Sequence, residues 1–593
     1  MSNRLALAEA LAQLEGNREQ HDAAHVRRHC VVLAGPGSGK TKTLTTAMAR
    51  TLIEDVVDPR GVACITYNNE CAIELETRLA KFGIQTGERT FIGTVHSFAL
   101  TQVIAPYARC INSWFSGDFS VATTQQTRAA VEMAYNAVFG DGGIPLDRWK
   151  FAEEKRRRDV DRSLPAWKER NPELADFIEA YEAELRRNRL MDFDDMPLLA
   201  FRMVSEHRWI RDALRARFPV LFVDEYQDLG HALHELVLLL CFEGGIRLFA
   251  VGDADQSIYG FTGANPDLLQ SLTARGDVET VRLRFNYRSG SKIIRASLGA
   301  LGEERTYCGV DGAPEGELTL WPVIGGHVQQ AQHVAEVVLP KLLERGFRSE
   351  QIAVLYRAAW LGDYVAEALK TADIAFVRAD TNALVKRNSR LARFVESCAG
   401  WVTGGWRAAD PPFDRLLGQA LGLVYAVRAS EAEKQAVSRQ LIAFLRRGID
   451  ANESTHTWLL RLIQELIVPW TEVARNSHQE WNLCTEMLAK INPAFGRDLP
   501  LNVFSGRMEG TGRVTLSSLH SVKGREFDAV IMFGVNDGDL PNWRDKKNAV
   551  AMREARRLFY VGVTRPRKEL CLVYESKNHS PWIAELYKRS IQD

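Results

Sequence analysis

A chain of 593 residues is more than one hydrophobic core can serve, so several domains are expected. Hydrophobic residues make up 46% and charged residues 25%, which excludes a disordered, collagenous or low-complexity protein. Seventy-five Lys and Arg balance 75 Asp and Glu, so a nucleic-acid partner has to be held by a local basic surface rather than by bulk charge.

The richest apolar run, Leu236 to Phe242, falls far short of the roughly twenty residues that span a bilayer. The N-terminus carries acidic residues and no long apolar block, unlike a secretory signal. Nine scattered cysteines without a CxxC pair argue against a disulfide framework, a zinc ribbon or an iron–sulfur cluster. A soluble, cytoplasmic, multidomain chain without a membrane partner is expected.

The first chemical signal comes at Cys30-Val-Val-Leu33, a short buried strand that runs into Ala34-Gly-Pro-Gly-Ser-Gly-Lys-Thr41 and then a helix. Strand, glycine-rich turn and helix form a phosphate-binding loop. Gly35, Gly37 and Gly39 let the backbone bend around Ser38, so that N–H groups face phosphate oxygens at a helix N-terminus. Lys40 can reach the terminal phosphates, and the Thr41 hydroxyl can ligate Mg²⁺. The strict pattern begins with glycine, and Ala34 departs from it.

A second apolar strand, Val220 to Val223, ends in Asp224-Glu225-Tyr-Gln-Asp228. A carboxylate at the carboxyl end of a parallel strand faces the same crevice as the loop. Asp224 is the candidate Mg²⁺ residue, and Glu225 is placed to polarise the attacking water. Nucleotide hydrolysis is therefore expected, not binding alone. A third block, Val251 to Gly260 (VGDADQSIYG), follows another strand.

From that block onward the order of motifs resembles the UvrD/Rep family of superfamily 1 DNA helicases. Asn17-Arg-Glu-Gln20, Ile65 to Asn69, Gly93 to Phe98, DEYQD, GDADQSIY, Asn286 to Ser289, Ser518 to Phe527 and Arg556 to Arg565 match family blocks in family order, across nearly the whole chain. The resemblance implies two RecA-like α/β P-loop motor domains, each with a mainly helical insertion. It implies that Gln20 reads the adenine edge and Tyr287 stacks the base. Gln256 resembles the γ-phosphate sensor, and Arg288 and Arg565 the arginines that approach that phosphate from across the cleft. Gly524 and Glu526 resemble the block at the triphosphate and ribose, beside Lys523. Tyr67, Asn69, His96, Tyr259, Phe261 and His520 match positions along single-stranded DNA. Phe261 and Thr262 stand where the family often has tryptophan and arginine, and Lys42 replaces an arginine that commonly flanks adenine.

Lys40 and Asp224 lie too far apart for one crossover, so an insertion is expected between them. The expected division is 1–106 and 201–290 for the first motor domain and 107–200 for its insertion. The second motor domain takes 291–395 and 508–593, with a reduced helical insertion at 396–507. The basic run Lys155 to Arg158 reads as a solvated face, with phosphate contact as the alternative. The 28 residues after Arg565 are expected to finish one strand and a short helix, without a fused nuclease or a long tail.

The resemblance implies ATP and Mg²⁺ as cofactors. It also implies 3′-to-5′ translocation on single-stranded DNA and opening of 3′-tailed duplexes, in repair, recombination or replication restart. One alternative is a DNA-activated ATPase subunit serving a separate nuclease or repair protein, as in anti-phage defence. Another is a nucleotide-gated sensor that seldom hydrolyses; intact Glu225, Gln256, Arg288 and Arg565 argue against it.

Overall fold

Short apolar runs bounded by turns become strands buried on both faces, and helices that return between them make the pairing parallel. In the computed structural model these runs build two six-stranded parallel sheets. The structure describes residues 2–66, 69–84, 89–111, 119–122, 124–140, 146–260, 264–378, 390–405, 413–424, 430–447, 453–473, 487–489, 501–504 and 512–591.

The first sheet contains β1 (His29–Ala34), β2 (Val62–Thr66), β3 (Thr90–Thr94), β4 (Val220–Val223), β5 (Arg247–Gly252) and β6 (Val278–Leu283). Their spatial order is β3-β2-β4-β5-β1-β6. Because β5 lies between β4 and β1, the loops after all three open onto one edge. The second sheet contains β7 (Glu317–Val323), β8 (Ile352–Tyr356), β9 (Phe376–Arg378), β10 (Val514–Ser518), β11 (Phe527–Phe533) and β12 (Pro566–Glu575). Its order is β7-β12-β11-β8-β10-β9.

Side-chain alternation gives each sheet two cores. On β1, Val31 enters one cluster while Cys30, Val32 and Ala34 enter the other. On β11, Val530 and Met532 face one side and Ala529, Ile531 and Phe533 the opposite one. At about 1.5–3 kcal/mol for each fully buried large aliphatic side chain, a one-residue slip of register is strongly disfavoured.

Between β3 and β4 the chain leaves the sheet. Helices Thr124–Phe139, Leu146–Arg158 and Pro172–Arg187 enclose a separate core that includes Tyr135, Phe177 and Tyr181. Here the solvated-face reading of Lys155 to Arg158 is half wrong. Arg156 is 1% exposed, and its guanidinium meets Glu182 at 3.0 Å, Asp192 at 2.7 Å and Asp195 at 2.5 Å. Lys155 is also buried, 3.0 Å from Asp159 and donating to the Arg170 carbonyl at 2.9 Å. Arg157 and Arg158 keep substantial solvent exposure. A buried guanidinium left unpaired costs several kcal/mol, which is why three carboxylates gather around this one.

Between β9 and β10 the described elements are helical. Arg390–Gly400, Phe413–Val424, Glu431–Arg447 and Thr455–Leu462 pack around Leu416, Leu441, Phe444 and Trp458.

Candidate nucleotide cleft and nucleic-acid track

The loop after β1 is shaped by backbone. Gly37 and Gly39 adopt left-handed φ of 69° and 82°, and Gly39 begins the helix Lys40–Arg50 with no side chain capping it. The amide end of that helix is thus open to an anion. A Cβ built on Gly37 would sit 2.5 Å from Asn286 Oδ1 and 2.6 Å from Arg288 Cβ, and one on Gly35 would sit 2.5 Å from the Tyr307 ring. Glycine is needed at both positions for room, and at 37 for conformation as well. Ser38 Oγ donates to the Gly35 carbonyl at 2.7 Å, closing the turn. Gln20, predicted at the adenine edge, donates from Nε2 to the Ser38 carbonyl at 2.7 Å. Tyr287, predicted to stack the base, is half exposed, and its backbone N–H donates to the Gly37 carbonyl at 2.8 Å.

The carboxylates follow β4. Asp224 is buried at the strand end, where burial and then the adjacent Glu225 charge push it up to about 7. Glu225 takes a left-handed φ of 51°, a conformation that costs a side-chain-bearing residue about 1–3 kcal/mol. That turn aims its carboxylate at Lys40, with Nζ 3.6 Å from Oε1. Burial opposes ionisation of Glu225, but Lys40, Lys523, the Gln227 amide and Arg565 together hold it down at about 2. Within the adjacent pair, the surrounding cations favour the negative charge on Glu225.

After β5, Asp253 accepts from the Gln256 amide at 2.5 Å, and Gln227 Oε1 accepts from the Asp253 N–H at 2.8 Å. These bonds join the second and third predicted blocks into one rigid edge.

The opposite wall comes from the second sheet. Arg565 lies just past the helix Ala549–Val563, between its cap Thr564 and β12, and is 2% exposed. Its guanidinium donates to Gln256 Oε1 at 3.2 Å and to the Val561 carbonyl at 2.8 Å. Burial and the nearby Arg288 charge lower it to about 9, while Glu225 pulls the other way. Two guanidiniums and one ionised carboxylate thus share a single electrostatic neighbourhood. Arg288 pairs with Glu526, which also holds Arg567. Gly524 adopts φ 88° just before it. Lys523 pairs with Asp228, donates to the Gln256 carbonyl at 2.7 Å, and lies 5.2 Å from the centre of the Tyr259 ring.

The residues fit a magnesium–triphosphate group. Asp224, buried beside an ionised neighbour, is relieved by a divalent cation, and Thr41 sits at the start of the same helix as Lys40. Among the described residues no group of three His, Cys, Asp or Glu side chains forms a metal cage. Mg²⁺ commonly binds through one or two carboxylates together with substrate phosphates.

Against known proteins, residues 16–276 match the UvrD/REP helicase N-terminal domain and residues 433–577 the UvrD-like helicase C-terminal domain, more than half of the chain together. The chain belongs to the UvrD/Rep helicase family. DNA helicase II of Haemophilus influenzae is 24% identical over 99% of this chain and 89% of its own length. The ATP-dependent DNA helicase Rep of Salmonella typhimurium is 26% identical over 93% of this chain and 89% of its own. The ATP-dependent DNA helicase PcrA of Leuconostoc citreum is 25% identical over 95% and 82%.

In this UvrD/Rep-family chain the predicted nucleic-acid residues are less evenly placed than the nucleotide residues. Tyr67, the Asn69 side chain and Phe261 lie outside the described residues. Tyr259 packs on the second-sheet core, and its hydroxyl donates to the His520 carbonyl at 3.2 Å. His520 is pushed down to about 4, by burial and then by the Arg357 charge. His96 is lowered by burial, and its ring meets Phe193 edge-on at 5.8 Å. Phe193 is 60% exposed, although its neighbours Asp192, Asp194 and Asp195 are all tied to arginines. Sequence reasoning assigned this ring no role; a lone aromatic inside an acidic run (MDFDD) was the signal available. It equally missed Arg305, whose guanidinium binds Asp255 with two 2.8 Å bonds, and Tyr307 over Gly35.

Proposed function

We propose that this UvrD/Rep-family protein is an ATP-dependent DNA helicase that moves 3′-to-5′ along single-stranded DNA and opens 3′-tailed duplexes. Residues 1–106 with 201–290 and 291–395 with 508–593 are the two motor domains, and 107–200 and 396–507 their insertions. The observation that carries the reading is convergence. Arg288 lies against the loop at Gly37, and Arg565 is bonded to Gln256 beside the carboxylates of β4.

Two cations of the cleft already have carboxylate partners that a triphosphate can replace. Lys40 leans on Glu225, and Arg288 on Glu526. Phosphate oxygens drawing Lys40 away leave Glu225 ionised and free to accept a proton from water. Gln227, hydrogen-bonded to Glu225, keeps that carboxylate oriented. Arg288 and Arg565 then stabilise charge spread over several phosphoryl oxygens, which suits the planar guanidinium fork. Thr41 and Asp224 would hold Mg²⁺, which would neutralise charge at the phosphates when bound. Because Lys523 and Arg565 both bond to Gln256, a change at the phosphate reaches Tyr259 and His520, the predicted strand-facing side.

The test is ATP turnover with and without oligonucleotide, followed by strand displacement on matched 3′- and 5′-tailed duplexes across a salt series. Turnover should rise with DNA and vanish in Lys40→Ala, and displacement should require the 3′ tail. Undiminished turnover in Lys40→Ala rejects the site, and equal displacement from both tails rejects the polarity. DNA-stimulated turnover with displacement from neither tail moves the reading to an ATPase that serves another protein.

A further inference from the structure

The reading of the cleft as an ATP site assigns Asn17 no part. Yet Asn17 is 3% exposed and uses its amide in two directions. Its Oδ1 accepts from the Gln20 N–H at 3.1 Å, capping the helix Arg18–His25. Its Nδ2 donates to the Tyr287 hydroxyl at 2.8 Å, across 270 positions of chain. Tyr287 is pinned at its other end by the 2.8 Å bond from its backbone N–H to the Gly37 carbonyl.

An exposed tyrosine ordinarily samples several rotamers, and immobilising it on binding costs affinity. Here a residue 50% open to solvent is tethered beside the glycine-rich loop through its hydroxyl and through its backbone N–H. The capped helix also carries Gln20, whose amide rests on the Ser38 carbonyl of the same loop. A single buried amide therefore sets both the flat surface and the polar edge that a nucleobase meets.

We infer that Asn17 is a positioning residue for base recognition: its amide struts the Tyr287 ring against the phosphate loop and so sets the preference for a purine triphosphate. The inference rests on the ATP reading of the cleft. Asparagine suits the task, since one side chain supplies both an acceptor for the helix cap and a donor for the phenol. Serine keeps the cap but is too short to reach the ring.

The experiment is a double-mutant cycle with Asn17→Ser and Tyr287→Phe, reading kcat and KM separately for ATP and for CTP, with Tyr287→Ala alongside and thermal unfolding to check folding. Each strut variant should raise the KM for ATP about three- to tenfold. kcat should stay near that of the parent, the ATP-over-CTP preference should narrow, and the double variant should be no worse than either single one. Unchanged KM in both strut variants, or fully additive effects, overturns the strut. If Tyr287→Ala raises the KM while the strut variants do not, the strut fails and the stacking role stands. If Tyr287→Ala is also silent, the ATP reading of this end of the cleft fails with it.

Discussion

On the first-sheet side of the cleft, Gly37 and Gly39 hold left-handed backbone, Ser38 closes on Gly35, and the helix Lys40–Arg50 begins with open amides. On the second-sheet side, Arg288, Lys523 and Arg565 are held by Glu526, Asp228 and Gln256, side chain against side chain. The first wall is a receptor whose shape is set by steric limits on φ and ψ. The second is a set of charges resting on exchangeable partners. Steric walls do not rearrange when a ligand arrives, whereas ion pairs can trade one oxygen for another at little net cost. On the proposed reading, the first wall is the seat for the triphosphate and the second the clamp that lets go.

Variants that remove the clamp should cost most. Arg565→Ala should lower kcat about 10³- to 10⁵-fold while leaving ATP binding within a few fold, measured by turnover beside nucleotide titration. Turnover near the parent rate would place this guanidinium outside the chemistry, despite its bond to Gln256. Glu225→Gln should lower kcat about 10²- to 10⁴-fold with ATP still bound, since only the proton-accepting carboxylate is lost. Parallel loss of binding would mean that Glu225 shapes the receptor wall and is not the base.

Glu526→Gln probes exchangeability itself. An ion pair of up to about 1 kcal/mol competes with phosphate for Arg288, so ATP should bind about fivefold more tightly in the variant. Weaker binding would instead put that carboxylate on the ligand, as the family resemblance implies for the ribose.

A last prediction, on stability rather than turnover, concerns His520. Its folded-state value of about 4 lies below the usual 6.5, so the unfolded chain takes up a proton that the folded one refuses as pH falls through that window. This residue's contribution to stability is intact above about pH 6.5 and declines toward pH 4, by at most about 1.4 kcal/mol per unit. Urea unfolding of His520→Gln against the parent at pH 7.5 and 5 should show the gap between them shrinking at the lower pH. A gap that widens would mean the imidazole is charged in the fold.

Contiguous chemistry was legible from the chain alone. The loop 35–41 and the strand-terminal pair Asp224-Glu225 each declare themselves within eight residues, because glycine spacing and an apolar run before a carboxylate are local requirements. The alternation that splits β1 and β11 between two cores is local in the same sense. The polarity of the run Lys155 to Arg158 was not legible, since the carboxylates that bury Arg156 lie 26 to 39 residues away. Nor were Phe193, Arg305 or Tyr307, each an ordinary residue type whose position becomes informative only beside its neighbour.

The sequence by itself determined that two parallel α/β sheets would form and that one strand would deliver a phosphate loop and another a carboxylate pair. Only the tertiary structure decided which charge rests on which. Lys40 and Lys523 draw the Glu225 carboxyl down, burial and then Arg288 lower Arg565, and Asn17 meets a ring 270 positions away. Backbone shape follows from neighbours along the chain, but electrostatic pairing depends on separation in space.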